Sequence, residues 1–198
     1  VPASKGFAIR TPQGLILHIS DFKVDWSPVI DSPIDVGKIA SLGNEGVLCL
    51  LSDCLGVTKE GMSQSESTLA TTFLDLFERA SNRQILVTTI SSNLSRMYQI
   101  IEAALKYDRK VVLAGRSIRQ SVMVARELGY LPFADDDFVT EKSSASYKQS
   151  ELVYIIAGCY GQVGSALERA SRNENNNIAL EDNALVLSLL IRILQELT

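Results

Sequence analysis

The sequence predicts an α/β protein, with a short hairpin-rich β region followed by a doubly wound unit on a mostly parallel sheet. Three observations predict it. Two apolar runs near the start are joined by Thr11-Pro12-Gln13-Gly14, a turn-forming link. Turn formers (Pro28, Pro33, Gly37, Gly43 and Gly46) crowd the segment that follows. From Gln84 to Arg172, short apolar runs alternate with stretches of helical period, which implies parallel strands and crossover helices.

Residues 6–10 and 15–20 read as the two strands of the hairpin, and a short helix is expected near 35–42. Gly46 to Asp53 reads as a third strand, ending on an aspartate as the second does at Asp21. Ser63-Gln64-Ser65-Glu66 has the form of a capping box and predicts a helix to about Ala80, with Leu69, Phe73, Leu76 and Phe77 inward. Strands are then expected over Gln84–Ile90, Lys110–Ala114 and Leu152–Ala157. Helices are expected through Leu94–Leu105, Ile118–Leu128 and Gly164–Arg172, with Gly129 in the C′ position that favours an achiral residue. The apolar segment Ala184–Leu197 reads either as a buried helix or, over Ala184–Ser188, as a strand.

The 198 residues are 46% apolar and carry a net charge of −4, so there is ample core and no blanket attraction to nucleic acid. No apolar run has bilayer length, so no membrane partner is expected. Three cysteines without metal-type spacing suit a reducing cytoplasm. Of these, Cys49 is expected in the core and Cys54 at the surface. A single histidine, His18, cannot build a two-metal cluster or a Ser/His/Asp triad, and it reads as a strand-face residue.

The chemistry concentrates at strand ends. Asp21 and Asp53 each close an apolar strand, where a carboxylate serves either as an ordinary terminus or as a hard oxygen ligand to a metal. Gly158-Cys159-Tyr160-Gly161-Gln162-Val163-Gly164 lies where a strand feeds a helix, and Gly115-Arg116-Ser117 follows the preceding strand in the same way. Parallel strands would bring both turns to one sheet edge, as a phosphate seat or simply as tight turns. Between Arg79 and Arg126 there are nine Lys/Arg against two acids, which reads as a solvated helix face or as a track for a nucleic-acid backbone.

Several stretches, in order, resemble bacterial ribonuclease J, a metallo-β-lactamase superfamily enzyme with a β-CASP insertion. They include His18-Ile-Ser-Asp21-Phe-Lys23, Leu50-Leu-Ser-Asp53, Ser91-Ser-Asn-Leu-Ser-Arg96, Gly115-Arg-Ser117, Leu128-Gly-Tyr-Leu131 and Gly158-Cys-Tyr-Gly161-Gln162. The resemblance implies a later part of a metallo-β-lactamase domain over 1–62 and a β-CASP domain over 63–198. It implies that Asp21 is a zinc ligand, that Asp53 is the first acidic β-CASP motif, and that both are catalytic. Arg96, Arg116, Ser117, Gly158, Cys159, Gly161 and Gln162 would seat the phosphates of single-stranded RNA. It further implies two zinc ions and a homo-oligomer in the intact enzyme. The His-x-His-x-Asp-His metal cluster of the family is absent from these residues. The chain is therefore expected to be an internal piece of a metal-dependent ribonuclease, inactive alone. The rival expectations are a non-catalytic RNA-binding or assembly module, and a nucleotide-binding α/β module using the Gly158 turn.

Overall fold

The computed structural model describes residues 4–58 and 60–189, which divide into two compact units between Ser67 and Thr68. The outer part of the apolar C-terminal segment, 190–198, lies outside the described residues.

In the first unit, β1 (Gly6–Thr11) and β2 (Gly14–Ile19) form the expected hairpin, with Phe7 opposite His18 and Ile9 opposite Ile16. Helix α1 (Val36–Glu45) starts on Asp35, whose carboxylate accepts the Lys38 amide at 2.8 Å. β3 (Val47–Ser52) then lies parallel to β2, giving the sheet order β1-β2-β3. Because side chains alternate across a strand, one face of β2 sends Leu15 and Leu17 onto Leu42 of α1. The other face keeps Phe7, Ile9 and Leu51 exposed. Cys49 lies exposed as well, contrary to the expectation of a core thiol, since β3 is exposed at every position from Leu48 to Ser52.

The Ser63–Glu66 capping box does not start a helix. A 3-10 turn occupies Glu66–Thr68, and α2 (Leu69–Arg79) begins after it, burying Phe73 and Phe77. The Glu66 carboxylate reaches Lys23 at 3.1 Å, and the Glu66 amide donates to Asp25. Tertiary partners therefore take the groups that a local cap would have used.

The second unit follows the predicted alternation. β4 (Ile85–Thr88), α3 (Leu94–Lys106), β5 (Lys110–Ala114), α4 (Arg116–Glu127), β7 (Leu152–Ile156), α5 (Ala166–Ser171) and β8 (Leu185–Ser188) are joined by a two-residue strand, β6 (Phe138–Val139). The sheet order is β6-β5-β7-β4-β8 with every pairing parallel, and within the ambiguous segment Leu185–Ser188 is a strand, β8. One face of the sheet (Leu86, Val112, Leu152, Tyr154, Ile156) packs on Ala166 and Ala170 of α5 and on Ile178. On the other, α3 lies against β5 and β7, and α4 against β5. Helices on both faces explain why β4 and β7 are buried at every position and read as continuous apolar runs. Gly129, at φ 79°, ends α4 as predicted, with its amide and that of Tyr130 donating to Arg126 and Ala125 carbonyls. Among the described residues no helix is long and apolar enough to cross a membrane.

Candidate functional site

In the first unit the parallel pairing of β2 and β3 decides where the two aspartates go. Ile19 stands opposite Ser52, and the Asp53 amide donates to the Ile19 carbonyl at 3.3 Å, so both strands finish at one level. Asp21 and Asp53 consequently line one open depression of about 360 Å³, together with His18, Ser20 and Ser52. One oxygen of Asp53 accepts the Leu55 amide at 2.9 Å, which fixes the carboxylate, while Asp21 stands exposed. His18 keeps the strand-face role expected of it, its ring 6.3 Å from that of Phe7.

A carboxylate that sequence reading passed over steadies the loop after Asp21. Asp25 is buried, accepts the amides of Ser27 at 3.1 Å and Glu66 at 2.9 Å, and lies 3.8 Å from the Lys23 ammonium. Burial raises its pKa, but hydrogen bonds from Ser65, Glu66 and Ser27 and the charge of Lys23 outweigh it, so the group sits below its ordinary value. A depressed folded-state pKa contributes stability above the unfolded value, and that contribution is lost as pH falls through the folded one. Asp25→Asn is expected to destabilise the first unit by roughly 1–3 kcal/mol at neutral pH, since an amide nitrogen then faces a backbone donor. The difference should shrink in acid, and equal unfolding midpoints at pH 7 would refute it. The only sequence signal was an aspartate two residues after Lys23, which is indistinguishable from a loop acid.

In the second unit β5 and β7 are adjacent, Ala114 pairs with Ile156, and the Gly115 and Gly158 turns meet at the carboxyl edge of the sheet as expected. A Cβ on Gly115 (φ 106°) would stand 2.7 Å from that of Ala157, and one on Gly158 (φ 131°) 2.6 Å from the Ser165 hydroxyl. Both glycines thus serve close backbone approach. Arg116 and Ser117 are exposed at the start of α4, where the Gly115 amide already donates to Glu141 at 3.3 Å. The Arg96 guanidinium donates to the Leu189 carbonyl at 2.9 Å. Cys159 is buried, and burial raises its thiol pKa against the opposing charge of Arg96. Only the backbone of Cys159 is therefore offered to a ligand. Gly161 closes the turn by donating to the Gly158 carbonyl at 3.0 Å, and Gln162 folds back to accept the Tyr160 amide at 3.1 Å. Sequence reading missed the Thr88 and Thr89 hydroxyls at the end of β4, buried without a hydrogen-bond partner among the described residues. A β-branched residue there signals only a strand.

The basic run is mostly structural. Arg79 pairs with Asp75 and Arg126 with Asp135, while Arg83, Arg96, Arg109 and Lys110 donate to backbone carbonyls. Lys106 and Arg116 make no hydrogen bond or ion pair to other described residues.

No three His, Cys, Asp or Glu side chains among the described residues come together as a metal site. A dinuclear zinc centre therefore does not fit these residues alone, and what they present is two carboxylates and one imidazole around an open depression.

A family model described as the β-CASP domain of ribonuclease J matches residues 82–190. Ribonuclease J of Helicobacter pylori is 39% identical over 184 residues, covering 93% of this chain and 27% of that protein. Ribonuclease J of Mycolicibacterium smegmatis is 34% identical over 187 residues, 94% of this chain and 33% of that protein. The ribonuclease J of Synechocystis is 34% identical over 173 residues, 87% of this chain and 27% of that protein. The chain thus spans between about a quarter and a third of the length of these curated relatives. The parallel sheet, its glycine turns and the extent of these matches agree: this chain belongs to the ribonuclease J β-CASP family.

Proposed function

We propose that this chain acts as part of a ribonuclease J-type enzyme that hydrolyses phosphodiester bonds of single-stranded RNA in the cytoplasm. The observation that carries this reading is the placement of Asp21 and Asp53 around one depression at neighbouring strand ends. In this reading residues 1–62 belong to the metallo-β-lactamase part and contribute Asp21 as one zinc ligand, with Asp53 beside it. Residues 63–198 hold RNA, using Arg96, Arg116, Ser117 and backbone groups of the Gly158–Gln162 turn. The three unpaired cysteines suit a reducing compartment.

The second unit supports the RNA role because Arg116 is a cation with no competing partner among the described residues, at a sheet edge where α/β ligands bind. Arg116→Glu is expected to weaken binding of a short single-stranded RNA by this chain. It should also reduce the slope of log affinity against log salt by about 0.7, the contribution of one single-strand phosphate contact. Fluorescence anisotropy over a salt series reads both quantities, and an unchanged slope would leave Arg116 a solvated surface residue.

A second reading, a non-catalytic RNA-binding module, rests on the exposed Arg116 and Ser117 at the start of α4 alone. That module would bind RNA equally well with Asp21→Ala and would gain neither zinc nor cleavage when extended to ribonuclease J length.

A further inference from the structure

The side chain of Tyr160 is used neither by the fold nor by the phosphate seat described above. The turn that carries it is closed by its own backbone. Gly161 donates to the Gly158 carbonyl at 3.0 Å, Ser165 to that of Gln162 at 3.1 Å, and Leu167 to that of Ala157 at 3.0 Å. The Gln162 side chain accepts the Tyr160 amide at 3.1 Å. Cys159 packs inward, 6% exposed, and Tyr160 faces outward, 44% exposed. Among the described residues its ring stacks on no other ring and its hydroxyl makes no hydrogen bond.

Turns are served by glycine, asparagine, aspartate or serine, whose freedom or short polar side chains shape the backbone. A tyrosine adds nothing to that, and a ring left in water forgoes the burial that makes aromatics favourable in a fold. Held on a fixed turn, the ring is a preorganised surface that loses few rotamers when something flat lies on it. The neighbouring turn carries Arg116. β5 and β7 are paired, as strands about 4.8 Å apart, and the Ala157 amide donates to the Ala114 carbonyl at 2.9 Å, so the two turns leave one sheet edge side by side. A cation next to an exposed aromatic matches the two parts of a nucleotide, phosphate and base.

We propose that Tyr160 is a base-stacking residue, its ring taking the face of a nucleobase in a single-stranded RNA whose phosphate lies at Arg116. This role rests on the RNA reading above and deepens it, because it makes the ligand a strand with an unstacked base. A duplex keeps its bases stacked on one another and offers such a face only at its ends. Every base has a π-face, so the residue demands a base and tolerates which one it is.

The test uses the 198-residue chain and fluorescence anisotropy with two strands of equal length and phosphate count, an oligoadenylate and an oligomer of abasic riboses. Tyr160→Ala should weaken binding of the oligoadenylate by at least about fivefold, the low end of what one base–aromatic stack contributes. It should not weaken binding of the abasic strand, because the contact it removes is already missing there. Tyr160→Phe should recover most of the affinity for the oligoadenylate, since it keeps the ring. The slope of log affinity against log salt should stay that of the parent in Tyr160→Ala, because no charge is removed. Thermal melts establish that each variant is folded. An alanine variant that binds the oligoadenylate as the parent does, or that weakens both strands alike, overturns the stacking role and leaves the phosphate seat standing. A parent chain that binds neither strand removes the RNA reading itself, and the stacking role with it.

Discussion

Replacing Arg109 by methionine should destabilise the second unit by at least about 3 kcal/mol, because each buried acceptor left unsatisfied costs about 1–3 kcal/mol. The Arg109 guanidinium is 2% exposed and donates to the carbonyls of Ala80, Ser81, Arg83 and Leu152 at 2.5–3.2 Å. Through it the turn after α2 is tied to the start of β4 and of β7. Burial alone pushes its pKa below the usual arginine value, and no carboxylate among the described residues offsets that. Methionine removes the charge and its desolvation cost, but it leaves carbonyls of the turn without donors in a place water does not reach. Lysine keeps the charge and loses the planar fork, so Arg109→Lys should fall between the two. Urea unfolding followed by circular dichroism reads the difference as a shift in midpoint at constant slope. A loss below about 1 kcal/mol for the methionine variant would mean that the turn finds other donors.

The second large effect is expected at Asp21. With the chain extended to ribonuclease J length, Asp21→Ala should lower both bound zinc and cleavage of single-stranded RNA. The loss should exceed the roughly 10–100-fold that partners of metal ligands typically cost, because Asp21 is proposed as a ligand itself. Asp21→Asn keeps shape and loses charge, so zinc should weaken while the depression beside Asp53 persists. RNA binding through the second unit should not change, and this separates a catalytic defect from a folding one. Unaltered cleavage by the alanine variant would remove Asp21 from the metal site and leave the carboxylate a strand terminus.

Much of this was legible in advance because it depends on local periodicity. Lys110–Ala114 is the strand predicted for it, and Leu94–Lys106 the helix, since apolar residues recur at the spacing each element requires. Gly129 signalled the end of α4 because few other residues accept its φ. The two-residue β6 was too short to carry a pattern, and the Ser63–Glu66 motif misled because its atoms found distant partners. Arg109 and Arg116 look alike in the chain. One is buried against carbonyls, while the other stands exposed at the start of α4.

By itself, then, the order of residues determined the longer strands and helices and that two strands end on aspartate, since these follow from side-chain spacing within a few residues. Tertiary structure alone decided that β3 lies parallel beside β2, bringing Asp21 and Asp53 to one depression, and that Asp25 and Arg109 are buried braces. Strand pairing and burial are set by partners many residues away, and one charged side chain carries no mark of whether water or a carbonyl will meet it.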